Sequence, residues 1–436
     1  MKRATFPLRR ALGVLLACAV LLAGLMAGLA SVAAADGWRH DRADLSTLVV
    51  VGDSISAGHQ NSSLMATQQV HGFASLIAEQ AGVPLPLPLI GPPGFPPVLE
   101  LKDPGPPPVV GPVEAAPGTR INPGEVVQNL SVPGARTQDA LVAYPPFEFW
   151  IPGFAYPYWY LQNYVLTSQG VHRSQVEWAE ALHPTTAILW LGSNDVLWSA
   201  ILADPMFMTD PSTFKAAYAE VIDRLDATGA TLLVANIPDV TVIPYLTSAD
   251  DVADLLGVPL EAVGPALGIG PGDTVTPSAF ELIQGILAGQ IPGPLPGNVV
   301  LTGDEVMQVR MRTAEFNRFI SRQAAEHHAT LVDIAGLLDY VDTFGLVIGG
   351  QRLTTDFLGG VFTLDGIHPT NTAHAVVANK FIHALNKRHH ARIPPVSLVP
   401  IMQDDPLAIP GTGHPARSLR SLNHDAKEIL RGHRWH

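Results

Sequence analysis

Cysteine is almost absent from this chain: among 436 residues the only one is Cys18. It lies in an apolar N-terminal stretch that we expect to be removed after export. Without Cys18 the chain can form no disulfide and no thiolate metal site.

Positive charge is also scarce, with 26 Lys and Arg residues against 39 Asp and Glu residues. Loss of the first 35 residues would remove four of these cations and no anion, leaving a net charge of about −17. A chain this acidic is repelled by the phosphate backbone, so we expect no nucleic-acid partner.

Residues 1–35 have the composition of a secretory signal peptide. Four cations (Lys2, Arg3, Arg9 and Arg10) precede a long apolar run that ends in three alanines before Asp36. A basic start, an apolar centre and a small-residue end are typical of a cleaved export signal. The run is also long enough to span a bilayer, so an uncleaved membrane anchor is the alternative.

Buried strands alternate with amphipathic helices along the rest of the chain. Strands are predicted at residues 48–52, 126–132, 187–191, 231–235 and 329–334. Helices are predicted at 72–81, 137–143, 214–229, 304–327 and 372–387. This alternation predicts an α/β fold with a mostly parallel sheet covered on both faces.

We expect one domain over residues 36–390, interrupted by three inserts. The first, at about 84–123, holds fourteen prolines in forty residues together with many apolar side chains. Proline blocks helix interiors, so this insert should be an extended loop, placed over a substrate cleft. The others are an aromatic segment at 144–164 and a region of helical fragments at 240–300. Residues 391–436 lack periodicity and predict a poorly ordered tail.

Four short polar pieces follow predicted strands or precede the last helix. They are Gly52-Asp53-Ser54, Gly134, Gly192-Ser193-Asn194-Asp195 and Asp365-Gly366-Ile367-His368. The carboxyl ends of parallel strands share one edge of a sheet, so these pieces should converge.

Their residue types match the needs of ester hydrolysis. Ser54 would be the nucleophile, His368 its base, and Asp365 the carboxylate that orients the imidazole. The backbone amides of Ser54 and Gly134 and the side-chain amide of Asn194 would form the oxyanion hole.

This ordered set resembles the SGNH (GDSL-type) hydrolases, which are named after a Ser, Gly, Asn and His in this order. Gly-Asp-Ser-Ile, Gly-Ser-Asn-Asp and Asp-Gly-Ile-His-Pro match the blocks of that family over roughly residues 46–388. The resemblance implies a flavodoxin-like, three-layer α/β/α sandwich and a serine-ester mechanism without cofactor or metal. The Gly-x-Ser-x-Gly elbow of the α/β-hydrolases is absent, since Ser56 stands where it needs a second glycine.

The apolar inserts favour a lipid or other acyl ester as substrate, with possible contact to a membrane surface or lipid aggregate. Three alternatives remain open. The aromatic residues of 144–164 could stack on sugars in a carbohydrate O-acetyl esterase. The fold could serve a non-catalytic envelope binding protein. Asp53, Asn194, Asp195 and His368 could hold a metal in a phosphoesterase. The sequence leaves the oligomeric state open.

Overall fold

A computed structural model describes residues 43–103, 109–143, 162, 164–167 and 170–408. The predicted signal peptide, most of the aromatic segment 144–164 and residues 409–436 lie outside this part of the chain. Among the described residues, no helix combines the length and apolar character needed to cross a membrane.

The strands are β1 (Leu48–Gly52), β2 (Leu99–Asp103), β3 (Val109–Pro112), β4 (Thr186–Trp190), β5 (Thr231–Ala235), β6 (Thr247–Ser248), β7 (Thr274–Val275), β8 (Val300–Leu301), β9 (Thr330–Val332), β10 (Leu346–Ile348) and β11 (Gln351–Leu353). The helices are α1 (Ser54–Ala57), α2 (Ala66–Gln69), α3 (Phe73–Ala81), α4 (Gln175–Leu182), α5 (Ser193–Ile201), α6 (Pro211–Asp226), α7 (Ala249–Leu256), α8 (Leu260–Leu267), α9 (Ala279–Leu287), α10 (Gly303–Glu326), α11 (Ile334–Phe344), α12 (Asn371–His389) and α13 (Leu398–Asp404).

The central sheet is parallel and runs β1, β4, β5, β9. Residues 128–132 lie along the free side of β1, where the Val50 amide donates to the Gln128 carbonyl and the Leu130 amide to the Val50 carbonyl. The predicted strand 126–132 is therefore in place, although it forms only one regular bridge, at Asn129. With this segment counted second, the strand order is 2-1-3-4-5, which is the flavodoxin-like order. The predicted α/β fold is confirmed.

Side chains of β1 alternate between two hydrophobic layers, because successive residues of a strand point to opposite faces. Leu48 and Val50 pack in the cluster that contains Phe73 of α3 and Phe381 of α12. Val49 and Val51 belong to the cluster of α4, α6 and α10 on the other face. The sheet is thus covered on both sides, as three layers require.

The insert predicted at 240–300 forms a small unit with its own core. Strands β6, β7 and β8 make an antiparallel sheet, and α7, α8 and α9 pack beside it. Val252, Val263 and Ile283 are among the side chains buried in a separate hydrophobic cluster. The sequence showed these helical fragments but gave no sign of the sheet, because its strands are two residues long.

The proline-rich insert is ordered against the body of the protein. β2 and β3 form an antiparallel hairpin, and Ile90 and Phe95 are buried in the main core. Phe95 also exchanges backbone hydrogen bonds with Leu64.

Two predictions need correction. Residues 137–143 were expected to be an α-helix, but Thr137–Leu141 is a short 3₁₀ helix. The tail was expected to be poorly ordered from residue 391, but residues 391–408 pack on α12. Asp405 accepts hydrogen bonds from the backbone and hydroxyl of Thr372, and Met402 is buried. The helix in this segment, α13, is only seven residues long and contains a proline, so the sequence gave little signal of this docking.

Candidate active site

Ser54 lies two residues beyond the end of β1, at the first position of α1. Asp53 caps this helix: its Oδ1 accepts a hydrogen bond from the Ile55 amide at 3.0 Å. All of β1 is buried, and Ser54 retains 7% of its surface. The cap thus fixes the backbone of Ser54 at the edge of the sheet.

Asn194 occupies the matching place on the neighbouring strand, in the first turn of α5 after β4. β1 and β4 pair in parallel, so Ser54 and Asn194 lie at the same edge, where the strand order reverses and ligands of such sheets bind. The Asn194 Nδ2 donates to the Ala135 carbonyl at 3.0 Å. An amide group has two hydrogens, so one remains for another acceptor.

Gly134 lies in the loop beside this edge, with a positive φ of 82°. A Cβ atom added there would meet no atom within 4 Å, so the space in front of it is open. Asp195 holds this loop in place, because its Oδ2 accepts from both the amide and the hydroxyl of Thr137 at 2.9 and 2.8 Å. Asn194 and Asp195 therefore attach the Gly134 loop to α5.

Asp365 and His368 form a tight pair before α12. The His368 Nδ1 and the Asp365 Oδ2 are 2.8 Å apart, and the amides of Ile367 and His368 donate to the Asp365 Oδ1. Burial opposes ionisation of Asp365, but the charge and hydrogen bonds of His368 hold its pKa well below the usual range. An ionised Asp365 keeps the proton on Nδ1 and leaves Nε2 as an acceptor.

The turn between these two residues requires glycine at its centre. Gly366 has a φ of 68°, and a Cβ there would lie 2.8 Å from the Tyr245 backbone nitrogen. That nitrogen donates to the Gly366 carbonyl at 3.0 Å. The turn is thus attached to the start of the 240–300 insert.

The sequence analysis missed His59, which connects the first motif with the last. Its amide donates to the Ser54 carbonyl at 3.0 Å, and its ring centroid lies 4.4 Å from that of His368. Among the described residues its buried Nδ1 has no hydrogen-bond partner. Burial of the ring is the main cause that lowers the pKa of His59 well below its usual value, and the nearby His368 is the second cause. The ring is therefore neutral. The only sequence signal for a role of His59 was its position directly after Gly58, the residue that ends α1.

The structure therefore brings Ser54, Gly134, Asn194, Asp365 and His368 to one edge of the sheet. The set proposed for a metal phosphoesterase is arranged differently, since Asp195 directs Oδ2 at Thr137. Within the described part of the chain, the group with metal-ligand spacing is instead His59, Asp365 and His368. Both oxygens of Asp365 already accept hydrogen bonds, which suits it to orienting the imidazole.

A family model described as GDSL-like lipase/acylhydrolase matches residues 48–381, a span that includes every one of these motifs. The chain belongs to this family. The GDSL-like hydrolases act on carboxylic esters, so the protein is a carboxylic ester hydrolase, and the resemblance seen in its sequence is confirmed.

Several solved structures are similar over most of the chain at low identity. LAE5, an alpha/beta hydrolase enzyme from the metagenome of Lake Arreo, is 14% identical, covers 80% of this chain and 98% of its own, and has a TM-score of 0.36. Phospholipase A1 from Streptomyces albidoflavus NA297 is 12% identical, with coverages of 79% and 100% and a TM-score of 0.31. Esterase EstA from Pseudoalteromonas sp. is 12% identical, with coverages of 78% and 97% and a TM-score of 0.32. A comparison with curated proteins gave no match.

In this GDSL hydrolase an apolar cavity adjoins the motifs at the sheet edge. It encloses about 810 Å³, its open side included, and we call it the core cavity. Ile55, Ser193 and Ile367 line it, and each is the chain neighbour of Ser54, Asn194 or His368. The remaining lining is almost entirely aliphatic and aromatic and comes mainly from α11, α12, the segment after β5 and residues 361–369, with single residues from β4, α5 and β10.

Proposed function

We propose that this GDSL hydrolase cleaves esters of apolar acids with Ser54, His368 and Asp365 as its catalytic residues. His368 Nε2 takes the proton of the Ser54 hydroxyl as its oxygen forms a bond to the ester carbon. The bond to the alcohol oxygen then breaks, and that oxygen receives the proton from His368. Water then attacks the acyl carbon bound to Ser54, and His368 takes a proton from that water. The bond to the Ser54 oxygen breaks, the acid is released, and His368 returns the proton to Ser54.

The charge on the carbonyl oxygen requires donors that are already in place. The amides of Ser54 and Gly134 and the second hydrogen of Asn194 Nδ2 serve this purpose in the proposal. The open space at Gly134 and the bond that fixes Asn194 to Ala135 support it. Removal of one such donor typically lowers kcat by about 10²–10³.

The observation that carries the proposal is the environment of His368. Its Nδ1 is held by Asp365, its ring lies against His59, and His59 in turn binds the backbone of Ser54. A base oriented by a buried carboxylate, on the same sheet edge as the proposed nucleophile, is the arrangement that acyl transfer needs.

The core cavity supports an acyl chain as the acid part of the substrate. Its lining is almost entirely apolar, which suits a hydrocarbon chain better than the acetyl group of a polar sugar. This favours an acyl ester or lipid over an acetylated polysaccharide, the alternative that the aromatic residues of 144–164 suggested.

We also propose that the protein is exported, on the basis of the basic and apolar composition of residues 1–35. Contact with a lipid aggregate belongs to the same proposal, because long-chain esters are found in such aggregates.

The proposal is tested by measuring hydrolysis of p-nitrophenyl esters from acetate to palmitate. Acetylated xylan, the substrate of the alternative function, is assayed separately. We expect kcat/KM to rise with acyl length beyond acetate and the variants Ser54→Ala and His368→Ala to lose at least about 10³ in kcat. Activity confined to acetylated xylan would overturn the acyl preference. Full activity in Ser54→Ala would overturn the mechanism.

A further inference from the structure

A second cavity lies on the other side of the Asp365 turn. Its volume is about 800 Å³ with its open side included, and we call it the insert cavity because both large inserts line it. Leu99 comes from the proline-rich hairpin, and Tyr245, Thr247 and Phe280 come from the 240–300 insert. Its surface is mainly apolar.

The insert cavity reaches the catalytic turn directly. Asp365, Gly366 and Ile367 line it, and so does Ser62, whose amide donates to the Asp365 Oδ2 at 2.7 Å. Ile367 lines both this cavity and the core cavity. The two apolar spaces thus share one lining residue, and that residue is the chain neighbour of His368.

The two cavities differ in which catalytic groups they adjoin. The core cavity borders Ile55 and Ser193, the chain neighbours of two proposed oxyanion donors. The insert cavity borders the Asp365–His368 turn but no donor and no chain neighbour of a donor. The carbonyl oxygen must face the donors, and the alcohol oxygen must leave on the side of the base that protonates it.

We propose that the insert cavity binds the alcohol group of the ester and that this group is apolar. The inference rests on the proposed serine mechanism. The substrate is then an ester with a hydrocarbon chain on each side of the carboxyl group, its acid chain in the core cavity and its alcohol chain in the insert cavity. The bond between the acyl carbon and the alcohol oxygen breaks between the two cavities, and the alcohol leaves with the proton from His368.

Burial of an alcohol chain predicts a measurable length dependence. Each methylene removed from water contributes roughly a factor of three to four to binding. With the acid held constant as acetate, kcat/KM should therefore rise at least about tenfold from ethyl to hexyl acetate.

The test measures acid release from ethyl, butyl and hexyl acetate, below their solubility limits, by titration at constant pH. Leu99→Trp fills the cavity from the hairpin, and Thr247→Trp fills it from the other insert. Leu101→Trp is the matched control, because Leu101 lies on the same strand, is exposed and does not line the cavity. Thermal unfolding of each variant establishes that it folds.

We expect Leu99→Trp and Thr247→Trp to lower kcat/KM for hexyl acetate about tenfold more than that for ethyl acetate, while Leu101→Trp behaves as the wild type. Equal rates for the three esters in the wild type would overturn the alcohol site. So would an equal loss for all three esters in a folded filling variant. If the wild type hydrolyses no ester at all, the proposed function fails and this inference with it.

Discussion

Asp365 and His368 are joined by a 2.8 Å hydrogen bond across a four-residue turn, and the carboxylate also accepts a hydrogen bond from the His368 amide. One carboxylate thus fixes both the backbone and the ring of the histidine. The proposed base is oriented by a local turn rather than by a residue from elsewhere in the fold.

Replacement of Asp365 by Asn should lower kcat by about 10³–10⁴ while the fold is retained, because an amide cannot fix the Nδ1 proton or stabilise the imidazolium. Steady-state kinetics with p-nitrophenyl butyrate measures this. Asp356→Asn, a change in another turn that binds a threonine hydroxyl, is the control and should be nearly silent. Similar rates for both variants would remove Asp365 from the mechanism.

Asn194→Ala should lower kcat by about 10²–10³ with little change in KM, since a donor to the transition state is lost. The variant also loses the bond to the Ala135 carbonyl, so the Gly134 loop could move. Thr137→Val is the comparison, because it loosens the same loop through Asp195 and keeps Asn194. A comparable kcat loss in Thr137→Val would assign the effect to the loop.

His59→Phe should keep activity within about tenfold of the wild type and keep the same acid limb of the pH profile. The reason is that His59 is neutral and buried, whereas His368 is the proposed base. His368→Phe should lose at least about 10³ in kcat. A shifted acid limb in His59→Phe would show that the two histidines share the proton.

Gly366→Ala should destabilise the protein by about 1–3 kcal/mol, because both its positive φ and the Tyr245 backbone oppose a Cβ. Gly289→Ala is a close control: its φ of 67° is nearly the same, but no atom lies within 4 Å of its Cβ. Urea unfolding should therefore give a smaller loss for Gly289→Ala. Equal losses would mean that the contact with Tyr245 costs nothing.

Asp53 predicts a pH-dependent stability. Burial raises its pKa to about 6 against a value of 3.8 in the unfolded chain. The folded protein binds this proton more tightly, so the stability associated with protonated Asp53 is complete below pH 3.8 and is lost as the pH rises through 6. The loss is about 2–3 kcal/mol.

Asp53→Asn removes this titration and keeps a capping side chain. Its free energy of unfolding relative to the wild type should therefore increase by about 2–3 kcal/mol between pH 4 and pH 7. Urea unfolding at both pH values measures the difference. A difference that is constant with pH would contradict a raised pKa.

The sequence predicted the parts of the site that short motifs encode. Ser54 and Asn194 each follow a buried strand, and parallel pairing of those strands places them together. Asp365 and His368 are three residues apart, so a turn alone brings them into contact. Such relationships depend on local chemistry and sheet topology, which sequence patterns reveal.

Other features depend on contacts between distant parts of the chain. The ring of His59 meets His368, which is more than 300 residues away, and no pattern marks that contact. The insert cavity requires Leu99 and Phe280 to reach the same turn. Residues 391–408 dock through apolar side chains and Asp405, and their one helix, α13, is too short to give a clear pattern in the sequence.

Labelling with a fluorophosphonate, followed by mass mapping of the modified peptide, tests the central claim most directly. The account predicts one adduct, on Ser54, which disappears in Ser54→Ala and is strongly slowed in His368→Ala. An adduct on another residue, or rapid labelling of Ser54 without His368, would contradict it.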